Sequence, residues 1–164
     1  MDSIEILIPD NEGNHLVVVL SFYDDNDKTG TFQIPAEFAE LDIADISINK
    51  LNLNRPLGLP ALFRMCQWLI DQFLMFPNAV FTFICSTDLL DTHHPDIASE
   101  QYRWTLFEHL YQRNAPKLRT LGILSKDIIV GPDGYQTYAK VFYRVGHAPI
   151  IHLVIDHLNS KYSI

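Results

Sequence analysis

A short loop ahead of a helical pattern has the residue types that bind phosphate groups. It reads RPLGLP, from Arg55 to Pro60, and an apolar periodicity begins shortly afterwards at Leu62. A glycine lets the backbone approach a ligand closely, and the free amides and positive dipole end of a helix N-terminus attract anions. Arg55 and Gly58 therefore make this loop a candidate phosphate cradle. A plain helix entrance is the alternative, because Pro60 suits a first helical turn and Gly58 permits the turn before it.

Carboxylates are concentrated in two polar segments that are predicted to be loops. The candidate partner-binding residues are Asp24, Asp25, Asp27, Asp88, Asp91 and Asp96. The chain has a formal net charge of −8, so no broad positive field would attract the backbone of a nucleic acid. The charge favours a basic protein partner, whose association would be accelerated by complementary charge. The alternative interpretation is that these carboxylates only keep an acidic protein soluble.

The first acidic segment also matches a phosphatase pattern. Asp25, Asp27 and Thr29 follow the apolar stretch VVVLSFY, and this order resembles the haloacid dehalogenase-like phosphatases. The resemblance implies a nucleophilic first Asp, a second Asp as acid or base, and Mg²⁺. That fold alternates parallel strands with helices, whereas this segment lies in a predicted meander. A polar hairpin turn is therefore the favoured interpretation.

The histidines do not complete a metal or catalytic group. His93 and His94 stand among the carboxylates of the second polar segment, but adjacent side chains diverge and no third ligand follows at a helical spacing. His152 and Asp156 are four residues apart on a predicted helix, where a surface pair is expected. We therefore predict no metal site.

The elements that must position these residues are predicted to belong to one domain, 1–164. A chain of 164 residues with 48% hydrophobic residues is long enough to bury a sizeable core. Cys66 and Cys85 are predicted to be buried thiols without a bridge. We find no apolar run of about 18 residues and no signal peptide, so we expect a cytoplasmic protein that does not engage a membrane.

The order of elements indicates an α+β fold. Strands are predicted over residues 4–8, 15–23, 31–34 and 44–53, which together form an antiparallel meander. Helical periodicity follows over 62–76 and 98–113, and Pro149 begins a third helix. The continuous apolar run over 79–85 predicts a central strand covered on both faces, and further strands are predicted over 118–130 and 135–145. We therefore expect a mixed, mostly antiparallel sheet with three main helices.

This order and the loop before the first helix together resemble the GNAT superfamily of N-acetyltransferases. In that family a strand, an R-x-x-G-x-[G/A] loop and a helix hold the pyrophosphate of acetyl-coenzyme A. Arg55 and Gly58 match the pattern, whereas Pro60 replaces its last Gly or Ala and removes one amide. The resemblance implies that Arg55, Gly58, Leu59 and Ala61 would contact the coenzyme.

The second predicted helix extends the resemblance. Its segment LFEHL, residues 106–110, is similar to a segment of that family in which a tyrosine often protonates the departing thiolate. Phe107 occupies the position of that tyrosine, and Tyr111, one turn further on, is the candidate substitute. Glu108 is the candidate that would draw the proton from an amine. The resemblance thus implies an acyl-coenzyme A-dependent N-acyltransferase with Glu108 and Tyr111 as its catalytic candidates.

Two functions from different classes are compatible with these observations. The first is a non-catalytic acidic module that binds a basic protein partner on a GNAT-like scaffold, without a cofactor. The second is the N-acyltransferase, which would use acetyl- or acyl-coenzyme A. Pro60, Phe107 and the lack of the family's two acceptor-pocket helices favour the first function. The chain also resembles, through residues 103–107 and 141–158, a bacterial family of similar length without an assigned activity, and this implies no function.

Overall fold

The computed structural model of the chain describes residues 2–9, 15–24, 39–50, 59–84, 99–130 and 137–162. The strands in these ranges are β1 (Ser3–Pro9), β2 (His15–Phe22), β3 (Asp42–Lys50), β4 (Ala79–Ile84), β5 (Ile123–Val130) and β6 (Thr137–Arg144). The α-helices in the same ranges are α1 (Leu59–Met75), α2 (Ser99–Thr120) and α3 (Ile151–Tyr162), and a 3₁₀ helix (Val145–Ile150) leads into α3.

The six strands form one mixed sheet in the order β1-β2-β3-β4-β6-β5. β3 and β4 are parallel, and every other neighbouring pair in the sheet is antiparallel. The predicted α+β class, with a mostly antiparallel sheet and three helices, is confirmed. The parallel pair arises because α1 connects β3 to β4, so the chain returns to the sheet in the same direction.

The central strand, β4, is covered on both faces, which explains its continuous apolar sequence. β4 lies between β3 and β6, and its side chains from Ala79 to Phe83 are all buried. Phe81 and Phe83 pack in a cluster with α1, whereas Val80 packs in a second cluster with α3. The predicted burial of this strand on both faces is therefore confirmed.

The helices divide between the two faces of the sheet. Leu62, Met65 and Phe73 of α1 share a core with Leu110 and Leu118 of α2. On the opposite face, α3 packs against β4 and β6 through buried apolar residues that include Ile151 and Val154. Within the described ranges, no helix is both long enough and apolar enough to cross a membrane.

Arg144, at the end of β6, holds the C-terminal end of α1. Its guanidinium donates hydrogen bonds to the carbonyl oxygens of Phe73 at 2.9 Å, Phe76 at 2.8 Å and Pro77 at 2.9 Å. The carbonyls at a helix end lack partners within the helix, so a cation there satisfies them and interacts favourably with the helix dipole. Arg144 also lies 4.5 Å from the ring centroid of Phe73. The direction of α1 over the sheet is thereby fixed by a strand far away in sequence.

α2 is longer than predicted. We expected it to end at residue 113 and a strand to begin at 118, but the helix continues through Pro116 to Thr120 and β5 begins only at Ile123. Both expected boundaries were wrong because Ala115 and Leu118 are buried on the sheet side of the helix. Their burial offsets the roughly 3 kcal/mol that a proline inside a helix costs.

Gly122 ends α2. Its φ of 74° lies in the left-handed region, and its amide donates to the carbonyl of Arg119 at 3.1 Å. A glycine adopts this conformation without the steric cost that a Cβ imposes. This single residue therefore separates the long helix from the strand that follows it.

We expect Gly122→Ala to lower the free energy of unfolding by about 1 kcal/mol. A Cβ at this position would meet no atom within 4 Å, so the loss would come from the backbone conformation alone. Gly146→Ala is the control, because its Cβ also meets no atom within 4 Å and its φ is not in the left-handed region. Urea denaturation of both variants measures the difference, and equal losses would contradict this account of the helix end.

Candidate functional site

A cavity of about 100 Å³ lies between α1, α2 and the sheet. Most of its lining is aliphatic or aromatic and comes from β3, β4 and α1. Its polar lining residues include Glu108, Asn114 and Lys140, and Tyr111 and Cys66 also line it. Glu108 and Tyr111, the two catalytic candidates proposed from the sequence, are thus brought together at one cavity.

Helical spacing explains why α2 presents these side chains together. Glu108, Tyr111 and Leu118 are separated by three and seven residues, which places them on one face of a helix. All three line the cavity. The intervening Leu110 is buried in the core and holds this face against the sheet.

Lys140 is the charged centre of the site. Its side chain is only 5% exposed, and its Nζ lies 3.0 Å from Glu108 Oε2 and 2.6 Å from Asp127 Oδ1. The same nitrogen lies 3.9 Å from the ring centroid of Tyr111, where the negative face of the ring attracts a cation. Asp127 is directly opposite Lys140 in the antiparallel pair of β5 and β6. Among the residues that the structure describes, Glu108 and Asp127 thus bring two carboxylates to one ammonium.

The carboxylate of Glu108 contacts two neighbouring side chains. Gln112 Nε2 donates to its Oε1 at 3.0 Å, within α2. Lys140 Nζ is within ion-pairing distance of Oε2 but does not meet the geometry of a hydrogen bond. This oxygen is buried, and the ion pair with Lys140 compensates its charge.

Sequence reasoning missed Lys140, although a signal for it was present. In β6 the side chains alternate between the faces of the sheet, and Ala139 and Val141 are buried against α3. Lys140 must therefore point to the other face, with Phe142, under α2. A lysine at an inward position of an apolar strand needs carboxylate partners, and Glu108 and Asp127 supply them.

The site lies beside the last described pair of two parallel strands. Among the described residues, the ladder between β3 and β4 runs from Asp42–Ala79 to Ile46–Phe83, although β3 continues to Lys50 and β4 to Ile84. Phe83, at the end of this ladder, is opposite Lys140 in β6. α1 begins after the C-terminal end of β3, so its N-terminus is at the same edge of the sheet.

The remaining sequence candidates fall in different places. Leu59 begins α1, Ala61 is fully buried in its first turn, and Asp24 is exposed just after β2. The others lie outside the described residues: Arg55, Gly58, Asp25, Asp27, Asp88, Asp91 and Asp96. β2 is antiparallel to both of its neighbours, so the arrangement before Asp24 lends no support to the phosphatase interpretation.

A second carboxylate, Asp45, lies on the face of the sheet that α3 covers. The hydroxyl of Tyr23 donates to its two oxygens at 3.0 and 3.2 Å, and the hydroxyl of Thr82 donates to Oδ1 as well. These bonds join β3 and β4 to the segment after β2. We therefore regard Asp45 as part of the support of the sheet.

Comparisons of the chain with protein-family models, curated proteins and solved structures found no significant match. The relationship to the N-acetyltransferases therefore stays a prediction.

Cys66 is a free thiol that lines the cavity from α1. Burial raises its pKa to about 11, because the low-polarity surroundings disfavour the thiolate. The unfolded chain would lose this proton near the ordinary pKa of 9.0. Between these values the folded state binds more protons, so stability falls as the pH rises.

We expect the native protein to lose, relative to Cys66→Ala, about 1 kcal/mol of stability by pH 10 and about 2 kcal/mol by pH 11. The contribution is fully present below pH 9 and disappears as the pH passes through the pKa of the folded state. Urea denaturation of both proteins at several pH values measures it. Other groups titrate equally in the two proteins, so parallel stability curves would contradict the burial of this thiol.

Proposed function

We propose that this protein is an N-acyltransferase that takes an acyl group from a coenzyme A thioester and passes it to an amine. The observation that carries the proposal is that Glu108 and Tyr111 line one cavity beside the last described pair of β3 and β4. These are the two residues that chemistry of this kind would need, one as base and one as acid. The order of β3, α1 and β4 supplies a parallel β-α-β unit next to them.

The donor would enter at the C-terminal edge of the parallel strands. Ligands of parallel β-α-β units bind outside the carboxyl ends of the strands. The phosphates of the donor would then lie near the N-terminus of α1, where Gly58 and Leu59 stand in the sequence. This geometry would direct the thioester to Glu108 and Tyr111.

In the proposed reaction the amine nitrogen attacks the thioester carbonyl, a C–N bond forms and the C–S bond breaks. Glu108 accepts a proton from the amine, and Tyr111 donates its hydroxyl proton to the departing thiolate. The acid and base then recover their starting forms by exchanging a proton through solvent. An acceptor that arrives as an ammonium ion first releases one proton to solvent, because only the neutral amine has the lone pair that attacks; Glu108 then accepts the second proton.

We expect Glu108→Gln to lower acyl transfer to primary amines by at least about 100-fold, the usual effect of losing a general base. Binding of coenzyme A, measured by isothermal titration calorimetry, should persist in this variant. Tyr111→Phe should slow transfer in the same way, while the aromatic contact with Lys140 remains.

Asp127→Asn is the matched control for this experiment. It also removes one carboxylate partner of Lys140, but Asp127 is 53% exposed and is not part of the cavity lining. We expect transfer within about threefold of the native rate, since a half-exposed ion pair contributes little. If the native protein binds no coenzyme A, the proposed function is refuted. If Asp127→Asn and Glu108→Gln lower the transfer rate equally, Glu108 acts only as an ion-pair partner of Lys140 and not as a base.

A second candidate function is an acidic module that binds a basic protein. It is supported by the net charge of −8 and by the exposure of Asp24 at the end of β2, in the first acidic segment. Exposed charges act chiefly on the association rate, and salt screens them. This function would use a surface other than the cavity, so the two candidates can be tested separately.

We expect replacement of Asp24, Asp25 and Asp27 with Asn to slow association with a basic partner isolated from the native host. The on-rate of the unmodified protein should fall steeply between low and physiological ionic strength. A variant with Asn at the exposed positions 2, 71 and 156 has the same net charge and is the control. Surface plasmon resonance measures both rates, and equal slowing would assign the effect to overall charge instead of to this segment.

A further inference from the structure

We infer that the end of the sheet opposite the candidate site is a surface through which two copies of this chain associate about a twofold axis. We call it the end surface, and it comprises an apolar centre, a basic margin and an acidic margin: Leu74, Met75, Leu121 and Val145; Lys117 and Arg119; Glu40 and Asp42. None of these residues lines the cavity, so the end surface and the proposed transferase activity can be tested independently.

The apolar centre consists of side chains that the folded chain leaves in water. Met75 and Val145 are 68% and 69% exposed, and Leu74 and Leu121 are 43% and 36% exposed. Exposed apolar side chains are ordinary where they are scattered singly, but a contiguous group of them marks a surface that binds another molecule. Methionine suits such a surface, because its flexible thioether adapts to the shape of a partner.

The ends of α1, β5 and β6 meet at this place. Arg144, the neighbour of Val145, donates to carbonyl oxygens at the C-terminal end of α1. Arg144 is also opposite Ile123 in the pairing of β5 and β6, and Leu121 precedes Ile123 by two residues. Val145, Leu121 and the last turn of α1 therefore lie around one guanidinium.

The two helices also end on the same side. The guanidinium carbon of Arg113 in α2 lies 4.4 Å from the ring centroid of Phe63 in α1. One turn further along both helices, Lys117 Nζ donates to Gln67 Oε1 at 2.6 Å. α1 and α2 therefore run in the same direction, and Leu121 follows α2 where α1 approaches its own end. The apolar centre is thus one contiguous group.

Opposite charges flank the apolar centre. Lys117 and Arg119 are exposed in the last turn of α2, which leads into β5 at one edge of the sheet. Glu40 is exposed just before β3, and Asp42 is half-buried at its start. The backbone amide of Asp42 donates to the carbonyl of Asn78 at 2.8 Å, which holds the acidic margin beside the turn after α1. β4 and β6 separate β3 from β5, so the two margins lie on opposite sides of the apolar centre.

A second copy of the chain matches this arrangement of charges. A twofold axis in the plane of contact, perpendicular to the line between the margins, places the acidic margin of each copy over the basic margin of the other. The two apolar centres then meet in the middle. Two copies that each have a formal net charge of −8 repel one another elsewhere, whereas at the end surface their charges attract. A twofold contact of this kind closes at the dimer.

Sedimentation velocity of the full chain over a series of concentrations tests for this dimer. We expect an equilibrium between monomer and dimer with a dissociation constant in the micromolar range, and no larger species. Met75→Asp should raise this constant at least about 100-fold, because the dimer would bury two unpaired carboxylates in its apolar centre. Val145→Asp, in a different element, should do the same and serves where Met75→Asp does not fold.

Leu7→Asp is the matched control. Leu7 is 54% exposed, but it lies in the second half of β1, toward the opposite end of the sheet. Its dissociation constant should equal that of the native protein. A native protein that stays monomeric at every concentration overturns the inference, as does a dimer that both Asp variants of the apolar centre leave unchanged.

An exchange of charges tests the orientation of the two copies. Arg119→Glu alone, or Glu40→Arg alone, places like charges opposite one another twice in the dimer, so each should raise the dissociation constant about tenfold. The two changes together restore opposite charges, and the constant should return to within about threefold of the native value. Unchanged circular dichroism confirms that each variant is folded. A combined variant whose weakening equals the product of the two single effects overturns the twofold arrangement of the margins.

Discussion

The ammonium of Lys140 is buried beneath a helix, and the arrangement of the site depends on how that charge is compensated. Removing a charge from water costs several kcal/mol unless an opposite charge lies close to it. Glu108 approaches from α2 and Asp127 from β5, so one lysine joins a helix and two strands. A rotation of α2 that withdrew Glu108 would leave the lysine with less compensation. The ion pair between Lys140 and Glu108 therefore determines which face of α2 lines the cavity.

The buried ion pairs of Lys140 with Glu108 and Asp127 are not the arrangement that would be expected from stability alone. A buried ion pair that is replaced by apolar residues of similar volume often leaves a protein as stable as before, or more so. The surrounding core is otherwise rich in aliphatic and aromatic side chains, and an apolar residue in place of Lys140 would suit it. Oε2 of Glu108 is also buried without a hydrogen bond from any described residue. Stability alone therefore does not account for a lysine at this position.

The two proposed functions use different parts of the molecule and are physically compatible. The cavity lies under α1 and α2, whereas Asp24 is exposed beyond the end of β2. An acidic surface raises the local concentration of basic molecules. A basic acceptor would thus be attracted by the charge of the protein and then acylated at the cavity. Arg144 contributes by holding the far end of α1, so that the helix forms a rigid wall of the cavity.

Much of the fold was determined locally and was therefore predictable from the sequence. Each element has a characteristic spacing of its buried residues, which can be read from the sequence. Buried residues alternate in β2, are continuous in β4 and follow a helical spacing at Leu62, Met65 and Phe73. These periods gave the fold class and the existence of the described elements that we expected. They also placed Glu108 and Tyr111 on one helix.

The sequence by itself did not determine the end of α2 or the partners of Lys140, because both depend on groups from elsewhere in the fold. Pro116 is a local signal to stop a helix, yet the burial of Leu118 against the sheet carried α2 past it. Lys140 belongs to a strand that reads as apolar, and its two carboxylates come from different elements. The sequence determined which residues are apolar and with what period they recur. The tertiary structure decided which charges meet, because the free energy of a buried charge depends on neighbours that only folding brings within a few ångströms.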